Sequence, residues 1–112
     1  GGQGLLPLLA NFKASSYVFS PNGDGINDIF QIEYALLKLT APTVVSFVVY
    51  SLDGQMISVG PESIQINGNH TISWNGCDDM GKLIDPGIYI YRVEFNVDGG
   101  VVARNGTVGV TY

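Results

Sequence analysis

Residues 88–98 read IYIYRVEFNVD, and an apolar residue occupies almost every second position of this stretch. Side chains of an extended chain point alternately to its two faces, so apolar alternation with period 2 indicates a strand with one buried face. The pattern predicts a long strand whose core face carries five residues: Tyr89, Tyr91, Val93, Phe95 and Val97.

Turn residues on either side of this strand predict how the neighbouring strands connect. Asp98-Gly99-Gly100 is typical of a tight hairpin, because glycine tolerates the positive φ that primed turns need. The next strand would therefore return antiparallel beside it, interrupted by a β-bulge at Asn105-Gly106. Residues 51–54, which read SLDG, predict a second hairpin of the same kind.

Strand-like alternation recurs along the chain, and no stretch of eleven or more residues shows a convincing helical period of 3.6. Each candidate strand is bounded by glycine, proline, asparagine or aspartate. The predicted strands are residues 8–15, 29–34, 43–51, 56–59, 70–74, 87–98 and 101–111. About seven antiparallel strands favour an all-β sandwich.

Composition excludes several functional classes. Five Lys and Arg residues against ten Asp and Glu residues give a formal net charge of −5, without a basic cluster to neutralise phosphates, so nucleic acid is an unsuitable partner. The single cysteine, Cys77, cannot form an internal disulfide, and one histidine, His70, is too few for a zinc site. Charged residues make up only 13% of the chain, which predicts a neutral surface that associates easily.

The length of 112 residues suits one domain with one core. Residues 8–112 would form the sandwich, and residues 1–7 a linker or an interaction arm. The apolar run of residues 5–10 is too short to span a bilayer, so no transmembrane segment is expected. Because the chain begins at Gly1 rather than Met, we expect a fragment or a processed product.

An acidic loop at residues 22–28, which reads NGDGIND, is the candidate metal site. Calcium takes six to eight oxygen ligands, and glycines let a short loop curl around an ion. The side chains of Asn22, Asp24 and Asp28 would bind Ca²⁺, together with the carbonyl oxygen of Ile26. The alternative is a turn whose Asn and Asp side chains cap their own backbone amides.

Nothing in the sequence predicts catalysis. Asp78 and Asp79 are adjacent, and neighbouring residues rarely face each other as an acid/base pair must, which favours hydrogen-bonded loop carboxylates. Neither His70 nor Cys77 lies in a nucleophile motif. The aromatic residues form either a sugar-stacking platform or, as alternating strand residues more often do, part of the core: Tyr50, Trp74, Tyr89 and Tyr91.

Four segments together resemble a known family. They are FSPNGDGINDIF at residues 19–30, VVSFVVYSLDGQMI at 44–57, GNHTISWNGCDDMGKLIDPGIYIYRVEF at 68–95 and GTVGV at 106–110. The combination resembles the immunoglobulin-like domain of flagellar hook-capping proteins. It is also similar to the gliding-motility-associated C-terminal domain of secreted Bacteroidetes-type proteins. One difference is that the family's Trp-Asp-Gly turn reads Trp74-Asn75-Gly76 here.

The resemblance implies an immunoglobulin-like antiparallel β-sandwich of about seven strands, without enzymatic activity, in an exported bacterial protein at the cell surface or outside the cell. Its function would be that of a structural or interaction module, mediating assembly or anchoring in a surface protein or filament. Its partners would be other domains or subunits, including copies of itself. The alternatives are a C-terminal sorting domain recognised by the type IX secretion system and a carbohydrate-binding module.

Overall fold

The computed structural model describes residues 8–21, 28–97 and 100–112, without the side chains of Leu8 and Val97. This part of the chain contains nine β-strands and no helix. They are β1 (Leu8–Ala14), β2 (Val18–Phe19), β3 (Phe30–Leu37), β4 (Thr43–Ser51), β5 (Met56–Val59), β6 (Ser63–Gln65), β7 (Gly68–Trp74), β8 (Gly87–Val97) and β9 (Gly100–Val110). No described segment forms a helix able to cross a membrane.

The strands form two sheets. The first has the order β1-β3-β7, and the second has the order β2-β9-β8-β4-β5, with β6 also paired to β4. All pairings are antiparallel except that of β2 with β9. Since β1 belongs to the first sheet and β2 to the second, the N-terminal segment crosses between the layers. The predicted all-β sandwich is confirmed.

The core lies between the sheets and is centred on β8. Tyr89, Tyr91, Val93 and Phe95 are all buried, as the alternation in β8 predicts, while Val97 falls outside the described side chains. Two ring contacts join β8 to β3 across the layers. The centroids of Phe30 and Tyr91 lie 5.4 Å apart, and those of Tyr34 and Phe95 lie 5.0 Å apart. Trp74, at the end of β7, is also buried.

The predicted bulge at Asn105-Gly106 is wrong. β8 and β9 pair without interruption from Gly87 opposite Val110 to Val97 opposite Gly100. Gly106 lies directly opposite Tyr91, and the tyrosine ring occupies the space where a side chain at position 106 would begin. The glycine therefore makes room for a buried ring rather than bending the strand. The predicted hairpin turn at residues 98–99 falls in a gap of the description.

The bulge that does occur is in β1, where the register with β3 shifts between Ala10 and Lys13. Asn11 within this bulge has φ of 56°, in the left-handed region that asparagine tolerates better than most residues. Two short strands, β2 and β6, are not predicted from the sequence. Two others, β3 and β7, are longer than predicted. The predicted hairpin at residues 51–54 is confirmed, with Gly54 N–H donating to Ser51 O at 3.0 Å.

Replacing Gly106 should destabilise the domain. A Cβ at this position would lie 2.7 Å from Cε2 of Tyr91, and the buried ring has little room to move away. Overpacking of this kind costs about 1–3 kcal/mol, so Gly106→Ala should lower the melting temperature by several degrees. Gly100→Ala is the matched control, because a Cβ there meets no atom within 4 Å. Equal melting temperatures for the two variants would contradict the role given to Tyr91.

Candidate functional site

The acidic loop lies mostly outside the structural description. Asn22, Asp24 and Ile26 are not among the described residues, whereas Asp28 is half-buried just before β3. Within the described ranges, no group of three or more His, Cys, Asp and Glu side chains is placed to hold a metal ion. The calcium site therefore stays a prediction.

The start of the acidic loop is fixed by a close contact. Pro21 is buried, and its ring packs against Gly76, where a Cβ would lie 2.6 Å from the proline Cγ. Gly76 also has φ of 80°, a conformation that favours glycine. The turn after β7 thus holds the chain at the point where the acidic loop begins.

The loop between β7 and β8 is held together by its own carboxylates. Asp78 Oδ1 accepts hydrogen bonds from the backbone N–H groups of Met80 at 2.9 Å and Lys82 at 3.0 Å. Asp79 Oδ1 accepts one from the backbone N–H of Val59 at 2.8 Å, which ties the loop to the end of β5. Both carboxylates are hydrogen-bonded loop residues, as the sequence predicts.

The described residues bring no nucleophile and base together. His70 is a strand residue as predicted, and its Nε2 lies 2.6 Å from Ile66 O. Cys77 is a half-buried free thiol beyond the end of β7, and the five strand residues from His70 to Trp74 alone span about 13 Å. Burial raises the pKa values of Tyr34 and Tyr91, so these hydroxyls stay protonated and neutral at physiological pH.

The candidate sugar platform is mostly core. Trp74, Tyr89 and Tyr91 are buried between the sheets, and Tyr50 is half-buried on the second sheet. A depression of about 510 Å³ lies against the first sheet, beside the exposed ion pair of Lys13 and Glu33, whose charged atoms are 3.6 Å apart. None of the four candidate aromatic residues lines it, whereas Trp74 lines a second depression of about 590 Å³ and Tyr89 a third of about 320 Å³.

The sheet edges are the remaining candidate interaction surface, and they are not equivalent. β1 carries a bulge, and the edge formed by β5 and β6 is interrupted by Gly60 and Pro61. Bulges and prolines are devices that prevent a further strand from pairing. The edge of β7 is regular over its seven residues. β9 is longer, with eleven residues, and β2 pairs only with its last two, Gly109 and Val110.

One hydrogen bond shows which backbone groups of β9 face outward. Gly109 N–H donates to Tyr17 O at 2.7 Å, on the side away from β8. Backbone N–H and C=O groups of successive strand residues point to opposite sides of the strand. Every second residue before Gly109 therefore also points its backbone groups away from β8, and these residues are Val101, Ala103, Asn105 and Thr107. We call this row the β9 edge. Sequence reasoning expected a neutral surface that associates easily but could not identify this edge, because the shortness of β2 has no sequence signal.

The hydrogen bond from Val59 to Asp79 should contribute measurably to stability. Asp79→Ala removes the acceptor, and losing one such bond lowers the free energy of unfolding by about 1 kcal/mol. A urea titration would measure it. Glu62→Ala is the control, since it removes one carboxylate from an exposed residue of the same edge region. Equal midpoints for the two variants would mean that the loop is held by other contacts.

Calcium binding is testable by thermal unfolding. Binding to the folded state alone stabilises it, by about 2.7 kcal/mol at 100 times the dissociation constant. Melting in excess calcium should therefore occur several degrees higher than in chelator, and Asp24→Ala should abolish the difference. An unchanged midpoint in the parent protein would favour the self-capped turn. A shift that survives Asp24→Ala would place the ion elsewhere.

Comparison with known proteins identifies the family. Residues 13–109 match the family described as CHU_C Type IX secretion signal domain. No curated protein matches the chain. Among solved structures, dimeric latent PorU from Porphyromonas gingivalis is similar, with a TM-score of 0.69 and 15% sequence identity. The similarity covers 95% of this chain but only 9% of the PorU chain, and at this identity it supports the fold alone.

The matched region extends from within β1 almost to the end of β9, so it includes nearly the whole sandwich. Of the two resemblances seen in the sequence, the match supports the gliding-motility-associated C-terminal domain and not the hook-capping type. It also confirms an immunoglobulin-like sandwich from a secreted or cell-surface protein. The chain belongs to the family of CHU_C type IX secretion signal domains.

Proposed function

We propose that this chain is a non-catalytic signal domain that the type IX secretion machinery recognises in its folded form, so that the attached bacterial protein reaches the cell surface or the medium. The observation that carries the proposal is the family match over residues 13–109. A linear signal would need only a short segment, whereas the matched region needs both sheets. This extent favours recognition of a folded surface.

The chemistry of the described residues supports the non-catalytic part of the proposal. Asp78 and Asp79 are occupied by backbone N–H groups within the fold. The buried tyrosine hydroxyls are neutral, and about 13 Å of β7 separates His70 from Trp74, beyond which Cys77 lies. General acid/base and nucleophilic catalysis both need a pair of groups within hydrogen-bond distance. These side chains serve the structure of the domain instead.

The second candidate function is assembly or anchoring within a surface structure, through contacts with other domains or subunits. The regular β9 edge favours it, because exposed backbone groups can pair with a neighbouring strand. A size measurement at micromolar concentration distinguishes this function, since self-assembly would give a species larger than 12.0 kDa. A carbohydrate-binding role has less support, with three of its four aromatic candidates buried.

Export of a reporter tests the signal function. A fluorescent protein with an inner-membrane export signal at its N-terminus and this domain at its C-terminus is produced in a bacterium that has type IX secretion. We expect fluorescence outside the cell envelope, and retention of the reporter in a strain whose type IX machinery is inactivated. Retention in both strains, or equal release from both, would overturn the proposal.

Two variants show in this assay whether export requires the folded domain or only a linear segment of it. Val93 is fully buried, so Val93→Asp places an unpaired charge in the core and should unfold the domain, with loss of export. Gly100→Ala is predicted to leave the fold intact and should be exported like the parent. Export of an unfolded Val93→Asp fusion would show that a linear signal is sufficient.

A further inference from the structure

We propose that the β9 edge accepts an extended peptide strand from another protein, and that Arg104 selects a strand bringing a carboxylate to it. The inference rests on backbone direction and charge, and does not depend on the export role. The addition of a strand to a sheet edge is a recurring mode of peptide recognition, in which backbone hydrogen bonds give affinity and side chains give specificity.

The backbone of β9 is regular enough to pair with a further strand. All eleven residues of β9 pair with β8 without a bulge, so the outward N–H and C=O groups are evenly spaced from Val101 to Thr107. Beyond this row, the pairing with β2 shows that the same side of β9 already accepts a strand, with Gly109 N–H donating to Tyr17 O.

The arrangement of the sheets places β1 of the first sheet beside the β9 edge. β3 packs over β8, and β7 faces β4 across a groove that Ile72 and Phe47 line, so β1 lies over the β9 side of the sandwich. Leu9 and Phe12 of β1 and Val102 of β9 are only partly buried against the core. The inward side chains of an added strand would cover these apolar groups.

Arg104 lies near the middle of β9, between Val101 and Thr107. It pairs with Val93, whose side chain points fully into the core, so Arg104 belongs to the inward row of β9. Arg104 is nevertheless exposed, because its guanidinium turns back at the edge and its Nη1 donates to Ala103 O at 3.0 Å. Ala103 O belongs to the β9 edge, so a strand added here would cover the guanidinium and compete with it for this oxygen.

Covering a charge that has no ion-pair partner is costly, so Arg104 would discriminate between added strands by the charge that they bring. Two ion pairs of the described residues join Lys13 to Glu33 and Arg92 to Glu94, and Arg104 belongs to neither. A neutral or basic strand would remove water from the guanidinium without replacing its hydrogen bonds. A carboxylate on the inward face of the strand accepts two parallel N–H bonds from arginine.

The charge of Arg104 also disfavours a second copy of the chain as the added strand. Antiparallel pairing of two β9 edges would bring a second Arg104 guanidinium close to the first. Like charges at close range oppose the pairing. The occupant with the right chemistry is an extended, otherwise uncharged segment with one Asp or Glu between two apolar inward residues.

Three synthetic peptides test the preference for a carboxylate. TVTETVT presents glutamate between two inward valines, and TVTQTVT and TVTKTVT replace the glutamate with glutamine and lysine. Binding of the fluorescently labelled peptides is followed by anisotropy. We expect the glutamate peptide to bind about tenfold more tightly than the glutamine peptide, and the lysine peptide to bind weakest. Equal affinities for all three would overturn the role of Arg104.

Variants of β9 locate the peptide. Ala103→Pro removes an outward N–H while leaving the bonds to β8 intact, and should abolish binding of TVTETVT, whereas the matched Ala103→Val retains that N–H and should bind it. Arg104→Val should bind all three peptides similarly and should self-associate at micromolar concentration. Circular dichroism melts establish that each variant is folded.

Three results would overturn the proposal in this experiment. They are binding that survives in a folded Ala103→Pro variant, absence of binding by the parent protein at millimolar peptide, and self-association of the parent through β9. The last result would identify a second copy as the occupant. A failure of reporter export with intact peptide binding would count against the export role alone.

Discussion

The position of the Tyr91 ring constrains both sheets of the fold. Its centroid lies 5.4 Å from that of Phe30 in the opposite sheet and 6.4 Å from that of Phe47 on the neighbouring strand, and its hydroxyl end fills the space beside Gly106. One side chain thus joins the two layers and fixes β9 against β8. The ring requires a residue without a side chain opposite it, and β9 pairs with β8 without a bulge there, so its outer edge is regular.

The fold class could be read from the sequence because long strands show their period. The alternation through residues 88–98 predicts which side of β8 is buried, and the structure agrees at Tyr89, Tyr91, Val93 and Phe95. β2 and β6 have two and three residues, too few to display any period, and they form only because tertiary contacts place them beside β9 and β4.

Asn105-Gly106 shows why a local rule can fail. An Asn-Gly pair within a strand is typical of a bulge or turn, but the reason for this glycine lies on the neighbouring strand, fifteen positions away at Tyr91. At Asn11 the error is the reverse, because a bulge occurs where no surrounding sequence pattern predicts one. Local patterns identify strands well, whereas irregularities depend on partners that the sequence does not reveal.

The same distinction applies to the candidate site. That Asp78 and Asp79 hydrogen-bond within the fold follows from their adjacency, but the partner of Asp79, the N–H of Val59, is twenty residues away and needed the structure. The contact of Pro21 with Gly76 gives a physical reason for two of the family's motifs to occur together. The proline before the acidic loop needs the glycine of the tryptophan turn, so neither motif is independent of the other.

The edges of the sandwich differ in how they respond to an approaching strand. The bulge in β1 and the break at Gly60 and Pro61 prevent regular pairing with any partner, because they displace or remove backbone donors. Arg104 leaves the backbone of β9 undistorted, and it opposes pairing through the cost of covering its charge and of giving up its hydrogen bond to Ala103 O. That cost depends on the partner, since a carboxylate removes it and a neutral side chain does not. A charge at the inward position of an edge strand is therefore a selective barrier, whereas a bulge or a proline is an unconditional one.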